Sequence, residues 1–400
     1  MLNELYQKLE DSWIEMVKIR RFLHQHPELS FQEKNTAKYI ADYYKKIGVP
    51  VQEQVGGNGV VARVEGALPG KTVALRADFD ALPIQDEKEV EYRSTVPGVM
   101  HACGHDGHTA SLLVLGKTLH EMRETLSGTV VLIHQHAEEY APGGAKSMIE
   151  AGCLEDVDVI FGTHLWATEP LGKVLHRTGP IMAAADRFEI VIKGSGGHGA
   201  QPHKTKDSIV IGAQVVAELQ QIVSRRVNPI DPAVVTIGSF IADNAFNVIA
   251  DSAKLIGTVR TFNPEVRDFI EEEIEQIIKG ACLSGRCDYE YAYERGYPAV
   301  VNPPEETDLF IQSAQTVDEV HTVEEIEMQM GGEDFAFYLE HVKGTFFFTG
   351  AKPDNVETAY PHHHPKFDIN EKALLIAAKS LASATLHYQV KHSVSEAVPK

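Results

Sequence analysis

The chain has 400 residues, 43% of them hydrophobic, and its 57 acidic against 37 basic side chains give a formal net charge of -20 at pH 7. That length asks for two hydrophobic cores rather than one, and that charge argues against nucleic acid and anionic membrane as partners, since no basic patch breaks the pattern. Residues 1–7 lack the cationic start and apolar core of a leader, and no stretch approaches the roughly 18 uninterrupted apolar residues of a membrane span, so the expectation is a cytoplasmic protein.

In chain order, helical spacing covers residues 5–23 and stops at His26-Pro27. Residues 60–64 and 72–77 read as strands separated by the turn-forming Leu68-Pro69-Gly70. A helix follows over 109–122, and two short apolar runs, 129–134 and 157–163, read as buried strands on either side of a helix over 144–151. This alternation predicts an α/β domain with a mostly parallel sheet. Beyond Gly179-Pro180 the order changes to strand 187–193, helix 207–223, strands 233–240 and 253–262, helix 264–279 and strand 287–293. That is the βαββαβ order of a ferredoxin-like α+β unit. Residues 183–295 are therefore expected to form an inserted domain, with 1–182 and 296–400 forming the domain around it; the latter resumes with helix 308–319, strand 345–349 and helix 371–388. Cys103, Cys153, Cys282 and Cys287 form no disulfide framework in a chain this long.

The chemistry-bearing residues gather after predicted strands, where sites collect in open α/β sheets. Strand 72–77 runs into Asp78-Phe79-Asp80, strand 129–134 into Glu138-Glu139, strand 157–163 into His164, and strand 345–349 precedes His362-His363-His364. The segment MHACGHDGH (100–108) adds one thiol and three imidazoles, and Cys103 and His105, two apart in an expected extended loop, aim at one point. Thiolate and imidazole together suit zinc and its borderline-soft neighbours. Two adjacent carboxylates at the end of a buried strand need a cation nearby. In extended chain they face opposite ways, one toward metal and the other toward substrate, where a free carboxylate acts as general base in metal-assisted amide hydrolysis. A nucleophilic Cys103 is the competing reading, and it leaves the Glu pair and His164 unexplained.

The motifs HQHPE (24–28), LRADFDALP (75–83), MHACGHDGHT (100–109), AEE (137–139), GHGAQPH (197–203), NVI (247–249), GTVRT (257–261), EDF (333–335) and HHP (363–365) occur in matching order over nearly the whole chain. They resemble the aminoacylase, hippurate hydrolase and auxin-conjugate hydrolase subfamily of the co-catalytic metallopeptidases, clan MH. The resemblance implies two divalent metal ions, zinc, manganese or cobalt, held by Cys103, His105, Glu139, His164 and His363. It implies Glu138 as general base, and Asp80 as the carboxylate that orients a ligand. It further implies His198 at the developing oxyanion, and Asn247 and Arg260 on the carboxylate of an N-acyl amino acid substrate. His101, His108 and His203 are expected to be supporting residues. The inserted domain is then expected to be a lid that pairs copies of the chain into a homodimer or higher homo-oligomer, through a free strand edge.

Two departures stand out: Gln135-His136-Ala137 replaces the usual Gln-Pro-Ala before the Glu pair, and no proline follows Trp166. The activity expected is metal-dependent hydrolysis of N-acyl amino acids. The alternatives are a dipeptidase or carboxypeptidase of the same clan, and a noncatalytic metal- or small-molecule-binding protein.

Overall fold

In the computed structural model the structure describes residues 1–354 and 359–393. The chain begins with α1 (Leu2–Asp11), α2 (Trp13–Gln25) and α3 (Lys34–Ile47), then β1 (Val51–Val55), β2 (Gly59–Glu65), β3 (Leu68–Asp78), α4 (His105–Glu121), β4 (Ser127–Gln135), α5 (Ala145–Glu150), β5 (Val159–Trp166), β6 (Lys173–His176) and β7 (Gly179–Met182). There follow β8 (Ala184–Lys193), β9 (Gly197–His198), α6 (Ser208–Gln221), β10 (Ala233–Ile241), β11 (Val248–Ile249), β12 (Ser252–Thr261), α7 (Pro264–Gly285) and β13 (Asp288–Tyr297). The chain ends with β14 (Val300–Asn302), α8 (Pro304–Ala314), β15 (Thr322–Glu325), α9 (Phe335–His341), β16 (Gly344–Gly350) and α10 (Ala373–Ser393).

Two compact units result: one comprises residues 1–181, 300–327 and 334–400, the other 182–299 and 328–333. The first unit is built on an eight-stranded sheet of order β1-β2-β4-β3-β5-β16-β6-β15. Its centre, β4-β3-β5-β16, is parallel throughout. Along β4, β5 and β16 nearly every residue is buried, which is why these segments read as continuous apolar runs rather than alternating ones. Helix α4 is buried on almost every side because its apolar residues surround it, and it packs on β3 and against α2 and α10.

The second unit is a four-stranded antiparallel sheet of order β10-β12-β8-β13, covered by α6 and α7. Strand β8 alternates, placing Phe188, Ile190 and Ile192 in the core with Val215 and Leu219 of α6 and Ile270 and Ile274 of α7. One covered face suffices for that pattern.

Several expectations need correction. The helix over 5–23 breaks at Ser12 into α1 and α2. Leu68-Pro69-Gly70 lies within β3 as a register shift against β4 rather than as a turn. Helix α4 starts at His105 itself, so Cys103 and His105 do not share an extended loop; Gly104 turns the chain between them at φ 96°, a conformation glycine adopts without penalty. His164 lies inside β5 rather than after it.

Candidate metal centre

The parallel centre of the sheet brings the strand ends of the first unit together. Asp78 closes β3, the Glu138-Glu139 pair follows β4, and His164 lies near the end of β5. The chain beyond β16 contributes His362 and His363, while the start of α4 brings Cys103 and His105 to the same place. Cys103 Sγ is 3.3 Å from His164 Nε2 and 3.8 Å from His362 Nδ1. Cys103, His105 and Glu139 offer a second group of ligand atoms within 4.8 Å of one another. His105 Nε2 is 3.9 Å from both Glu138 Oε2 and Glu139 Oε1, and His363 Nε2 is 3.4 Å from Glu139 Oε2.

The supporting hydrogen bonds fix how these atoms point. Asp80 Oδ1 lies 3.0 Å from His105 Nδ1, its Oδ2 accepts from the Glu139 N–H at 2.9 Å, and Ser30 donates to the same Oδ2 at 2.7 Å. With Nδ1 held by a carboxylate, His105 presents Nε2 to the centre. Asp78 Oδ1 is 2.6 Å from His108 Nδ1, and His108 Nε2 accepts the Leu165 N–H at 2.8 Å, which anchors β5 beside His164. Beneath them the buried Arg76 donates to Asp78 and Asp334 at 2.6 and 2.8 Å.

Orphaned atoms show that a cation fits. His105 Nε2 and Glu139 Oε1 are buried without a hydrogen-bond partner, and both border the Cys103 thiol. Burial, then Glu139, Glu138 and Asp78, push that thiol well above its usual pKa. Burial pulls His105 down, yet Asp78, with Asp80 and Glu139, outweighs it and raises His105 to about 10. Burial likewise opposes ionisation of Asp80, and the His105 hydrogen bond and charge overcome it, so its carboxyl stays below the usual range. The centre is thus rich in negative charge and in soft and borderline donors, the environment a divalent cation stabilises by deprotonating the thiol.

Of the residues expected at the site, Cys103, His105, Glu138, Glu139, His164, His363 and Asp80 meet in the first unit. His198, Asn247 and Arg260 lie in the second. There β9 pairs with β11, setting His198 opposite Val248, and Gly199 N–H donates to Asn247 O at 2.8 Å, so His198 and Asn247 are neighbours. Arg260, on β12, is partly buried and donates to Thr258 and to Val259 O. The Glu pair is not in extended chain: Ala137 is left-handed at φ 53° and Glu138 to Tyr140 form a bend, so both carboxylates approach the same imidazole. The resemblance points to His363 among the three histidines, yet the half-buried ring of His362 packs on His164 at 5.0 Å and Trp166 at 5.0 Å. Burial and the neighbouring histidines bring its pKa down to about 3, so it is neutral and able to donate a lone pair. His108 has the supporting place expected of it, between Asp78 and the Leu165 N–H, whereas Asp78 was legible only as a carboxylate at a strand end.

A conserved-domain model for "Peptidase family M20/M25/M40" matches residues 74–387. The Bacillus subtilis (strain 168) protein named "Putative amidohydrolase YhaA" is 63% identical over 96% of this chain and 98% of its own length. An "N-acyl-L-amino acid amidohydrolase" of Geobacillus stearothermophilus is 45% identical over 75% of this chain and 81% of its own. Among solved structures, a Bacillus subtilis protein described as a dinuclear metal-binding peptidase from the M20 family superposes with a TM-score of 0.81 at 35% identity, covering 94% of this chain and 98% of that one. With a matching family model across most of the chain, relatives this similar over nearly full length, and a metal-type centre at its parallel strand ends, the chain belongs to peptidase family M20/M25/M40 and is a metal-dependent amidohydrolase.

Proposed function

We propose that the protein hydrolyses the amide bond of N-acyl amino acids with two divalent metal ions, of the zinc, manganese or cobalt kind, in the cluster of the first unit. Cys103, His105 and Glu139 would hold one ion and Cys103, His164 and His362 the other, with His363 reaching the first through its place beside Glu139. The observation that carries this reading is the convergence of unpartnered His105 Nε2 and Glu139 Oε1 on the Cys103 thiol, with Glu138 3.9 Å from the same imidazole. When bound, the metal ions supply the positive charge that acidifies water and polarises an amide carbonyl.

The chain's own residues do the rest. Glu138 Oε2 takes the proton of the attacking water and returns it to the departing amine, so that amide and water become carboxylate and amine. Asp80 keeps the His105 proton on Nδ1 and anchors the Glu139 backbone. His198 meets the charge that develops on the carbonyl oxygen, and Asn247 and Arg260 receive the free carboxylate of the amino acid, for which a guanidinium fork is suited. These three roles rest on the motif resemblance, as does a homodimer formed through the second unit. No helix among the described residues is long and apolar enough to cross a membrane.

Metal analysis of the purified protein, followed by assay on N-acetyl, N-benzoyl and longer N-acyl amino acids, tests the reading. Turnover that chelator abolishes and zinc, manganese or cobalt restores is the expected result. No hydrolysis of any acylated amino acid by metal-loaded protein sinks the proposed substrate class, and faster cleavage of unacylated dipeptides replaces it with a peptidase.

A further inference from the structure

Glu33 is completely buried and lies at the start of α3, yet its carboxylate does not cap that helix. Glu28 does so instead, accepting from the Asn35 and Thr36 backbone N–H groups at 3.2 and 2.8 Å. The Glu33 side chain is turned the other way. Its Oε1 accepts from the backbone N–H of Phe31 at 2.9 Å and of Ala137 at 2.9 Å, and its Oε2 accepts from Asn58 Nδ2 at 2.9 Å. Both backbone groups it holds belong to residues in the left-handed region, Phe31 at φ 66° and Ala137 at φ 53°.

Side chains other than glycine resist that conformation, and they keep it only where the surroundings over-determine it. Ala137 is fully buried, so no bulk water can replace Glu33 as acceptor for its N–H. The residue that follows is Glu138. On its far side the Glu139 N–H is fixed by Asp80, so the bend carrying both carboxylates is held at two backbone points, one of them Glu33. Burial raises the Glu33 carboxyl to about 7, against smaller lowering by its hydrogen bonds, and in either protonation state an oxygen remains to accept from Ala137.

We propose that Glu33 is a positioning residue for the general base: by accepting the Ala137 N–H it holds the left-handed turn that sets Glu138 at the reacting centre. This rests on the reading of Glu138 as the base. Glu33 touches no reacting atom and acts through the backbone of Ala137.

The test compares wild type, Glu33→Gln, Glu33→Asp, Glu33→Ala, the double variant Glu33→Ala with Ala137→Gly, and Glu138→Gln. All are purified, metal-loaded and checked for metal content, then assayed for kcat and KM on an N-acyl amino acid. Amide hydrogen exchange is followed on the peptide covering residues 134–139. Glutamine keeps an acceptor oxygen, so Glu33→Gln should retain kcat within about threefold. Aspartate withdraws the acceptor by one methylene and alanine removes it. Both should lose roughly 10- to 100-fold in kcat with KM shifted less than about threefold, the size expected when a reacting group is misplaced by about 1 Å, and exchange at Ala137 should quicken. Glycine at 137 adopts the left-handed conformation freely, so the double variant should recover about tenfold of the lost kcat.

Wild-type kcat and unchanged exchange in Glu33→Asp and Glu33→Ala overturn the proposal, as does a loss that follows metal content and is not rescued by Ala137→Gly. If Glu33→Ala does not fold, Glu33→Asp carries the same comparison. Glu138→Gln separates the two ideas: its full activity would remove the base, whereas its inactivity beside a fully active Glu33→Asp would remove only the role of Glu33.

Discussion

The two units carry their polar residues in contrasting ways. In the first, charge is buried and cross-braced: Arg20 is fully buried and donates to Asp106 at 2.9 Å, Asp368 at 2.7 Å and Glu371 at 3.3 Å, while Asp106 also meets His24 at 2.7 Å. In the second, a set of ion pairs lies on the sheet face that α6 and α7 leave open, as with Arg187 on Glu189 and Glu294, or Lys254 on Glu189. Asp186 is the buried exception, tied to Arg267, Tyr293 and the Gly296 N–H. Strand ends of a doubly covered parallel sheet exclude water, so a side chain there must be held by named partners. A half-covered antiparallel sheet leaves its polar face to the solvent, which holds nothing in place.

This contrast predicts where substitutions hurt. The largest effect is expected at Glu138→Gln, which should lower kcat by about 10²- to 10⁴-fold, the usual range for a general base; metal content by elemental analysis should not change. A loss of metal together with activity would make Glu138 a ligand instead. Next comes Arg20→Met. It leaves Asp106 and its neighbours without their cation and should cost about 3–5 kcal/mol of unfolding free energy in urea titrations. A cost near zero would mean that water or rearrangement replaces the bracing, and the contrast between the units would fail.

A smaller effect is expected from Glu33 through pH. Burial raises its pKa from 4.5 to about 7, so between those values the folded protein keeps a proton that the unfolded chain has lost. Its contribution therefore destabilises progressively as pH rises from about 4.5 to 7, by at most about 3 kcal/mol, and is constant above that window. Glu33→Gln should flatten this part of the stability profile, read as urea midpoints across the window; an identical slope in the variant counts against a raised pKa. The smallest effect belongs to Arg187→Ala, whose partners Glu189 and Glu294 are half-buried and exposed, respectively, and in reach of solvent, with an expected change below about 1 kcal/mol. A larger loss would show that the open face of the second unit is braced after all.

Much of this organisation was readable from residue order. The alternation of buried strands and helices in the first unit and the βαββαβ order of the second follow from apolar periodicity, which the finished sheets retain. Helix α3 is polar overall, so no apolar run marks it, although its buried positions, Thr36, Ile40, Ala41 and Tyr44, recur at helical spacing. Its C-terminal signal was nonetheless present in Gly48, which ends it at φ 79°. At the centre, ligand-type residues were legible as such. Their partners were not: that His108 bridges Asp78 to the backbone of Leu165, or that Glu33 reaches Ala137 across 104 residues, depends on contacts far apart in sequence.

What the sequence determined by itself was which segments must be buried and which residue types stand at their ends, because periodicity and desolvation act locally. What only the tertiary structure decided was the pairing of those residues. The order β4-β3-β5-β16 brings four strand ends side by side, and Gly104 and Ala137 turn the chain so that Cys103, His105, Glu138 and Glu139 share one small volume. His362 joins Cys103 and His164 for the same reason: its place comes from the packing of its ring on His164 and Trp166, which three consecutive histidines could not reveal.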